Sequence, residues 1–344
     1  MVNAETSPSV SVVVPVHNGG AAFQRCLASL KAADPKPLEV IVVADGDSDD
    51  SWRFAEEAGA RVIRLPKSGG PARARNVGAR EARGGVLFFI DADVTVPPKS
   101  VALVSGAFRA DPMLGACFGS YDDEPFEPNL LSQYKNLQHH WVHQTGNEAA
   151  STFWAGCGAV RRDFFLEVGG FDEGYRRPSI EDIELGYRLR RAGHPIRILK
   201  SLQVKHLKRW TVRSHLRAEF FYRALPWTDL ILAEGRFVND LNLTWTSRAS
   251  VVLAWLLVLT LAAALAKPGL WPAPLAAAAG VLTLNAEFYQ FLFRKRGARF
   301  LLQSLPWHWL YFLYSGLAFA VGLGRNRLRR WLEPGEGAKT GVSS

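Results

Sequence analysis

Four short apolar runs recur through the first third of the chain, VSVVVPV, LEVIVVAD, RVIRL and GVLFFIDAD, and three of the four end on or just before polar residues. Runs of this length, rich in valine and isoleucine, are too short for helices and suit strands buried on both faces of a parallel sheet. Helical patterns separate them. Phe23, Leu27 and Leu30 share one face after the first run, SWRFAEEAG follows the second, and PARARNVGAREA follows the third with Pro71 at its first position. This alternation of strand and helix predicts an α/β fold, a doubly wound sheet.

Ligands of such sheets bind outside the carboxyl ends of the strands. There the sequence places His17 and Asn18 after the first strand, Asp45 after the second, and Asp91 and Asp93 after the fourth. Neither G-x-G-x-x-G nor G-x-x-x-x-G-K-[ST] occurs, so dehydrogenase and P-loop readings lose their main support. Asp91 and Asp93 stand two apart at a strand end, a spacing expected to aim both carboxylates to one side. Adjacent carboxylates repel unless a cation lies between them, and Mg²⁺ or Mn²⁺ takes such oxygens together with substrate phosphates; the plainer reading is a solvated turn.

Further along, Glu181 and Asp182 precede a helix with the apolar stripe Leu185, Leu189 and Ala192, stopped by Gly193 and Pro195. Acids there often serve only the helix dipole, but one can also act as a general base. His139, His140 and His143 lie on a helical segment without an H-E-x-x-H glutamate or an evident third ligand, which favours packing or acceptor contact over zinc. Cys26, Cys117 and Cys157 form no C-x-x-C pair and read as small core residues of a protein in a reducing compartment.

Beyond Ala249 the composition changes to ASVVLAWLLVLTLAAALA, followed by GLWPAPLAAAAGVLTLNAEFYQFLF and FLLQSLPWHWLYFLYSGLAFAVGLG. These predict two or three membrane spans. The net charge of +9 is concentrated near them, in RKRGAR (294–299) and RNRLRR (325–330), as expected for contacts with anionic headgroups. No nucleic-acid-binding motif accompanies it, so no nucleic acid partner is expected. The N-terminus has no cationic region before its apolar run and does not read as a signal peptide, so the domain before the spans is expected to be cytoplasmic, at the inner membrane if the source is bacterial. Three full spans would put RNRLRR on the outer side, against the positive-inside tendency; a re-entrant segment broken at Pro306 and His308 would resolve this.

Six motifs, VSVVVPVHN, LEVIVVADGDSDDS, GGPARARNVGAR, FFIDADV, FWAGCGAVRRDFFLEVGGFDEGY and EDIELGYRLRRAG, together resemble the family 2 inverting glycosyltransferases, in family order from about residue 9 to about residue 206. The resemblance implies a Rossmann-like GT-A domain that binds a nucleotide-diphosphate sugar, a UDP-sugar being favoured although Ala44 stands where the family often has a first aspartate. It implies donor contacts from Pro15, His17, Asn18, Asp45, Arg73, Arg75, Asn76 and Asp91. Metal ligation falls to Asp93 and Asp91, with His206 as a third ligand. Gly156, Cys157 and Gly158 would line the sugar and acceptor cleft with Arg209 and Trp210, and Asp182 would be the catalytic base beside Glu181. Processive synthases of the family carry Q-x-x-R-W where this chain has His206 to Trp210, which weighs against a processive enzyme.

The expected organisation is a GT-A domain over 1–215, an interfacial amphipathic segment over 216–247, two or three transmembrane helices over 248–324, and a basic disordered tail over 325–344. The expected activity is metal-dependent inverting transfer to a hydroxyl or phosphate, with a lipid-linked acceptor at the membrane suggested by the aromatic and basic residues of TVRSHLRAEFFYRALPWTDLILAEGRF. A processive polysaccharide synthase and an inactive membrane scaffold of the same fold are the alternatives.

Overall fold

The computed structural model describes residues 8–235 and 238–332. The first seven residues, on which the signal-peptide reading partly rests, and the tail beyond 332 lie outside the described residues. Internal contacts divide the chain into two units, Met1–His215 with Asp240–Asn242, and Leu216–Asn239 with Leu243–Ser344.

The first unit begins with β1 (Val10–Val16), α1 (Gly20–Lys31), β2 (Glu39–Asp45), α2 (Ser51–Glu57), β3 (Arg61–Leu65), α3 (Pro71–Glu81) and β4 (Val86–Ile90). β1 pairs in parallel with β2 and β4, and β2 with β3. Successive residues of each run point to opposite faces, and both faces are covered. Val12, Val14, Val42, Phe88 and Ile90 enter one core, while Val13, Ile41, Val43, Leu87 and Phe89 enter the other. Continuous apolar runs, rather than alternating ones, are the sequence form of such a sheet.

The sheet is not wholly parallel. After β5 (Val94–Thr95), α4 (Ser100–Ala110), β6 (Ala116–Tyr121), α5 (Leu130–Thr145) and β7 (Ala149–Ala150), β8 (Cys157–Arg161) returns antiparallel between β4 and β6. α6 (Arg162–Glu167), α7 (Glu181–Arg191) and β9 (Ile196–His206) complete a mixed sheet in the order β3-β2-β1-β4-β8-β6-β9-β5, with β7 on β9. β8 was unreadable as a strand because its stretch is glycine-rich: a Cβ on Gly158 would stand 2.3 Å from the Trp154 carbonyl oxygen. All three cysteines are buried in this unit, and burial pushes the Cys117 thiol up to about 12.

The second unit is helical. It takes up the end of α8 (Val212–Arg217), a π-helical turn (Ala218–Ala224), α9 (Leu225–Glu234), α10 (Trp245–Ala266), α11 (Pro272–Leu284) and α12 (Ala286–Leu332). Ala254, Val281 and Phe312 form its small core, and Tyr314 donates a hydrogen bond to the buried Glu219, which also pairs with Arg223. Among the described residues one helix, Trp245–Ala266, is long and apolar enough to cross a membrane by length and composition, with a mean hydropathy of 2.4. Two or three spans are therefore more than these helices establish. Two local expectations are corrected. α12 runs through Pro306 and His308, and its interruption falls at Gly297, whose φ of 79° carries no Cβ penalty in glycine. Residues 325–332 of the expected disordered tail continue that helix.

Gly186 seats α7 against the Thr152–Phe153 backbone, where an added Cβ would lie 2.4 Å from the Phe153 nitrogen. Gly186→Ala should lower unfolding stability by about 1–3 kcal/mol in urea titration. Gly106→Ala, in α4 with open space around it, should raise stability by about 0.5–1 kcal/mol; equal effects would show that the close approach at Gly186 does not constrain α7.

Candidate active site

The turns after β1 and β2 are tied to each other before any ligand is considered. Pro15 lies half-buried within β1, and the exposed His17 sets its Nδ1 2.8 Å from the Asp45 carbonyl oxygen. Asn18, left-handed at φ 53°, accepts a hydrogen bond from the Ser48 backbone at 2.8 Å, and Asp49 accepts one from the Gly20 backbone at 2.9 Å. Asp45 itself is buried. Its carboxylate accepts from the Ser68 hydroxyl at 2.8 Å and from the Gly69 and Gly70 amides at 2.9 Å each. It thus clamps the loop that leads into α3, and Gly46 lets that loop approach, since a Cβ there would stand 2.4 Å from the Ser68 nitrogen.

Of the three polar residues expected at the donor from α3, the helix turns two inward. Arg73 stays half-buried and lies over Gly69, its Cδ 2.5 Å from where a Cβ of that glycine would sit. Asn76 is buried and committed to the backbone of Phe171, donating to its carbonyl and accepting from its amide, both at 2.8 Å. It holds the Gly170–Phe171 turn instead of facing a ligand. Arg75 is also buried; it donates to Asp91 Oδ1 at 2.7 Å and to Glu181 Oε1 at 2.9 Å. A helix puts residues 73 and 75 about 200° apart, so two nearby arginines cannot both face the same ligand.

Asp91 and Asp93 do not behave as neighbours on a strand. β4 ends at Ile90, and the Val94 amide donating to the Asp91 carbonyl closes a turn. The period-2 argument fails there: Asp91 goes to Arg75, while Asp93 lies 3.6 Å from His206 Nε2. The pairing of β5 with β9, which sets Val94 opposite His206, produces the second contact. Burial alone would raise the Asp93 carboxyl, but His206 and Lys208 hold it down to about 2. Among the described residues no three His, Cys, Asp or Glu side chains converge as a cation cage. The donor set that remains, one carboxylate and one imidazole, fits a divalent ion that completes its shell with diphosphate oxygens and water.

Asp182 lies in the first turn of α7, partly exposed, and accepts from the Ala155 amide at 3.1 Å and the Ile183 amide at 2.9 Å. The next residue, Gly156, accepts from the Asp91 amide at 3.2 Å, so two consecutive residues span from Asp182 to Asp91. Burial and the adjacent Glu181 push the Asp182 carboxyl up to about 7 against the pull of Arg75. Glu181 is buried, held by Arg75 and by the Ser179 amide at 2.8 Å. Gly156 lies under the Trp154 ring, 2.7 Å from where a Cβ would be; Cys157 is buried on β8.

The remaining expected residues separate. Arg209 is exposed and pairs with Glu127 at 3.3 Å, whereas Trp210 is buried, its amide donating to Ser132. Burial makes Trp210 a packing residue of this unit rather than an acceptor contact. Two of the three clustered histidines bond backbone carbonyls of β6, His140 to Tyr121 and His143 to Gly119. Tyr121 was missed in the sequence. Its ring is stacked on His206 at 4.3 Å and packs on His139 at 4.2 Å, which fixes the plane of the imidazole facing Asp93. Its position at the end of β6 was the only available signal.

Residues 11–169 match the model of glycosyl transferase family 2. The matched segment runs from the second residue of β1 past β4 and includes Asp45, Arg75, Asp91 and Asp93. The chain is 30% identical over 235 residues to validoxylamine A glucosyltransferase of Streptomyces hygroscopicus subsp. limoneus, covering 56% of this chain and 50% of that one. It is also 30% identical over 225 residues to the pre-mycofactocin glycosyltransferase of Mycobacterium tuberculosis, covering 62% and 46%. The chain therefore spans about half the length of these curated relatives. Its fold is shared with a mannosyltransferase from Pyrobaculum calidifontis solved with GDP-Man and Mn²⁺, at a TM-score of 0.56 and 18% identity over 92% of this chain and 88% of that one.

Replacing Asp45 by Asn puts an amide where Ser68, Gly69 and Gly70 all donate. Asp45→Asn should cost about 1–3 kcal/mol of stability and release the 68–70 loop to proteases; an unchanged unfolding midpoint would refute the clamp.

Proposed function

We propose that this chain transfers a sugar from a nucleoside-diphosphate donor to an acceptor hydroxyl or phosphate with inversion, in a reaction that needs Mg²⁺ or Mn²⁺. The observation that carries the reading is Asp182, a carboxylate raised to about 7 and joined through Ala155 and Gly156 to the strand-end acid Asp91. The family 2 match and the Mn²⁺ and nucleotide sugar of a structural neighbour support it.

In this reading His17, Asn18 and the Asp45-clamped loop face the nucleotide, with a UDP-sugar favoured, and Arg73 is the α3 cation open to the diphosphate. Asp93 and His206 would hold the cation. Bound there, the ion would stabilise the charge growing on the departing diphosphate. Asp182 takes the proton of the acceptor hydroxyl as that oxygen attacks the anomeric carbon. The bond to the diphosphate breaks on the opposite face, and the linkage inverts.

The second unit supplies the acceptor side of the proposal. Trp245–Ala266 supports a membrane anchor, the segment before it an interfacial position, and together they favour a lipid-linked acceptor such as a polyprenyl phosphate or membrane glycolipid, with the catalytic unit cytoplasmic. Full-length protein in detergent, offered a panel of nucleotide sugars with and without polyprenyl phosphate, tests this. Transfer to soluble acceptors that lipid does not increase would remove the lipid assignment.

The base accepts a proton only when ionised, so kcat should fall as pH drops through about 7. Asp182→Asn should lower kcat by about 10²–10⁴-fold, and EDTA should abolish turnover until Mn²⁺ or Mg²⁺ is restored. Undiminished transfer by the Asn variant would refute the mechanism.

A further inference from the structure

Arg75 bridges two parts of the fold from inside the protein. Its side chain is 6% exposed, and it reaches two acids that belong to different parts of the fold, Asp91 after β4 and Glu181 at the start of α7. Its Nε is buried without a hydrogen-bond partner, and the Phe171 ring lies 5.4 Å from its guanidinium carbon. The side chain is enclosed by protein, and both of its terminal nitrogens are engaged by carboxylates.

We propose that Arg75 is a positioning residue that locks the strand-end acid Asp91 to the first turn of α7, which carries Asp182, rather than a contact to the donor diphosphate. The inference rests on the reading of Asp182 as the base. Two charges act on the Asp182 carboxyl, Glu181 on its own helix and Arg75 from α3, and the Ala155 and Ile183 amides donate to it. Glu181 favours the protonated acid and Arg75 the carboxylate. A planar guanidinium can hold two carboxylates at once, which an ammonium on a flexible stem does poorly.

The two neighbours must therefore move the pH profile in opposite directions. In the full-length enzyme with its active donor, Arg75→Gln should shift the acid limb of kcat upward by about one pH unit, and Glu181→Gln should shift it downward by a similar amount. Arg75→Lys should keep the wild-type limb while kcat falls. In all three variants the KM for the donor should stay within about threefold of wild type, because an arginine enclosed between acids binds no diphosphate. A donor KM raised tenfold or more by Arg75→Gln, with the acid limb unmoved, would make Arg75 a diphosphate contact and overturn the proposal. Should Arg75→Gln fail to fold, Glu181→Gln and Arg75→Lys decide it: an unmoved limb in the former, or a donor KM raised tenfold or more in the latter, overturns it equally. Loss of the function reading itself looks different, since wild-type transfer would then be absent or indifferent to Asp182→Asn.

Discussion

One buried guanidinium holds the site together. Arg75 lies between the partly exposed Asp91 and the buried Glu181, and an acid placed out of water needs such a partner or it protonates and the arrangement loosens. Removing one member of a buried pair typically costs about 3–5 kcal/mol, because the charge left behind has no partner. The ion pairs are reinforced by a second path through the backbone, from Asp182 to the Ala155 amide and from the Gly156 carbonyl to Asp91. Together the two paths close a ring that fixes the end of β4 against the start of α7.

The rest of the first unit serves that junction. A sheet buried on both faces carries β4 and its acids in the middle of the strand order, where neither edge can move them. β8 lies antiparallel beside β4, the ring passes through Ala155 and Gly156 just before it, and Gly186 allows α7 to close on that segment. β9 brings His206 to Asp93 from the other side, with Tyr121 stacked on the imidazole. The strand-end acids are thereby sorted by partner: Asp45 to a loop, Asp91 to an arginine, Asp93 to a histidine.

Much of this was legible in the residues. The apolar runs read as strands because the sheet is covered on both faces, and Pro71 and Gly193 marked helix ends that the structure reproduces at α3 and just beyond α7. Side-chain direction was less legible. A strand's period would aim Asp91 and Asp93 to one side, yet they sit in a turn, where that period has no meaning. Arg75 and Asn76 looked like a polar helix face until the packing of Phe171 and Glu181 against α3 enclosed them. Trp210 carries the same composition cue as a ligand-stacking aromatic, and only tertiary burial distinguishes it. In the helical unit, Pro306 was the stronger sequence signal for a break, but Gly297 is where the backbone leaves the helix, since only there does the left-handed region come without strain.

The proposed chemistry requires a cation and a nucleoside diphosphate to meet at Asp93 and His206. Anomalous diffraction from crystals of the full chain soaked with Mn²⁺ and either UDP or GDP measures this directly. The account predicts a manganese peak in contact with Asp93 and His206 and with the diphosphate oxygens. A nucleotide bound with no manganese there, or manganese held only by other residues, would contradict it.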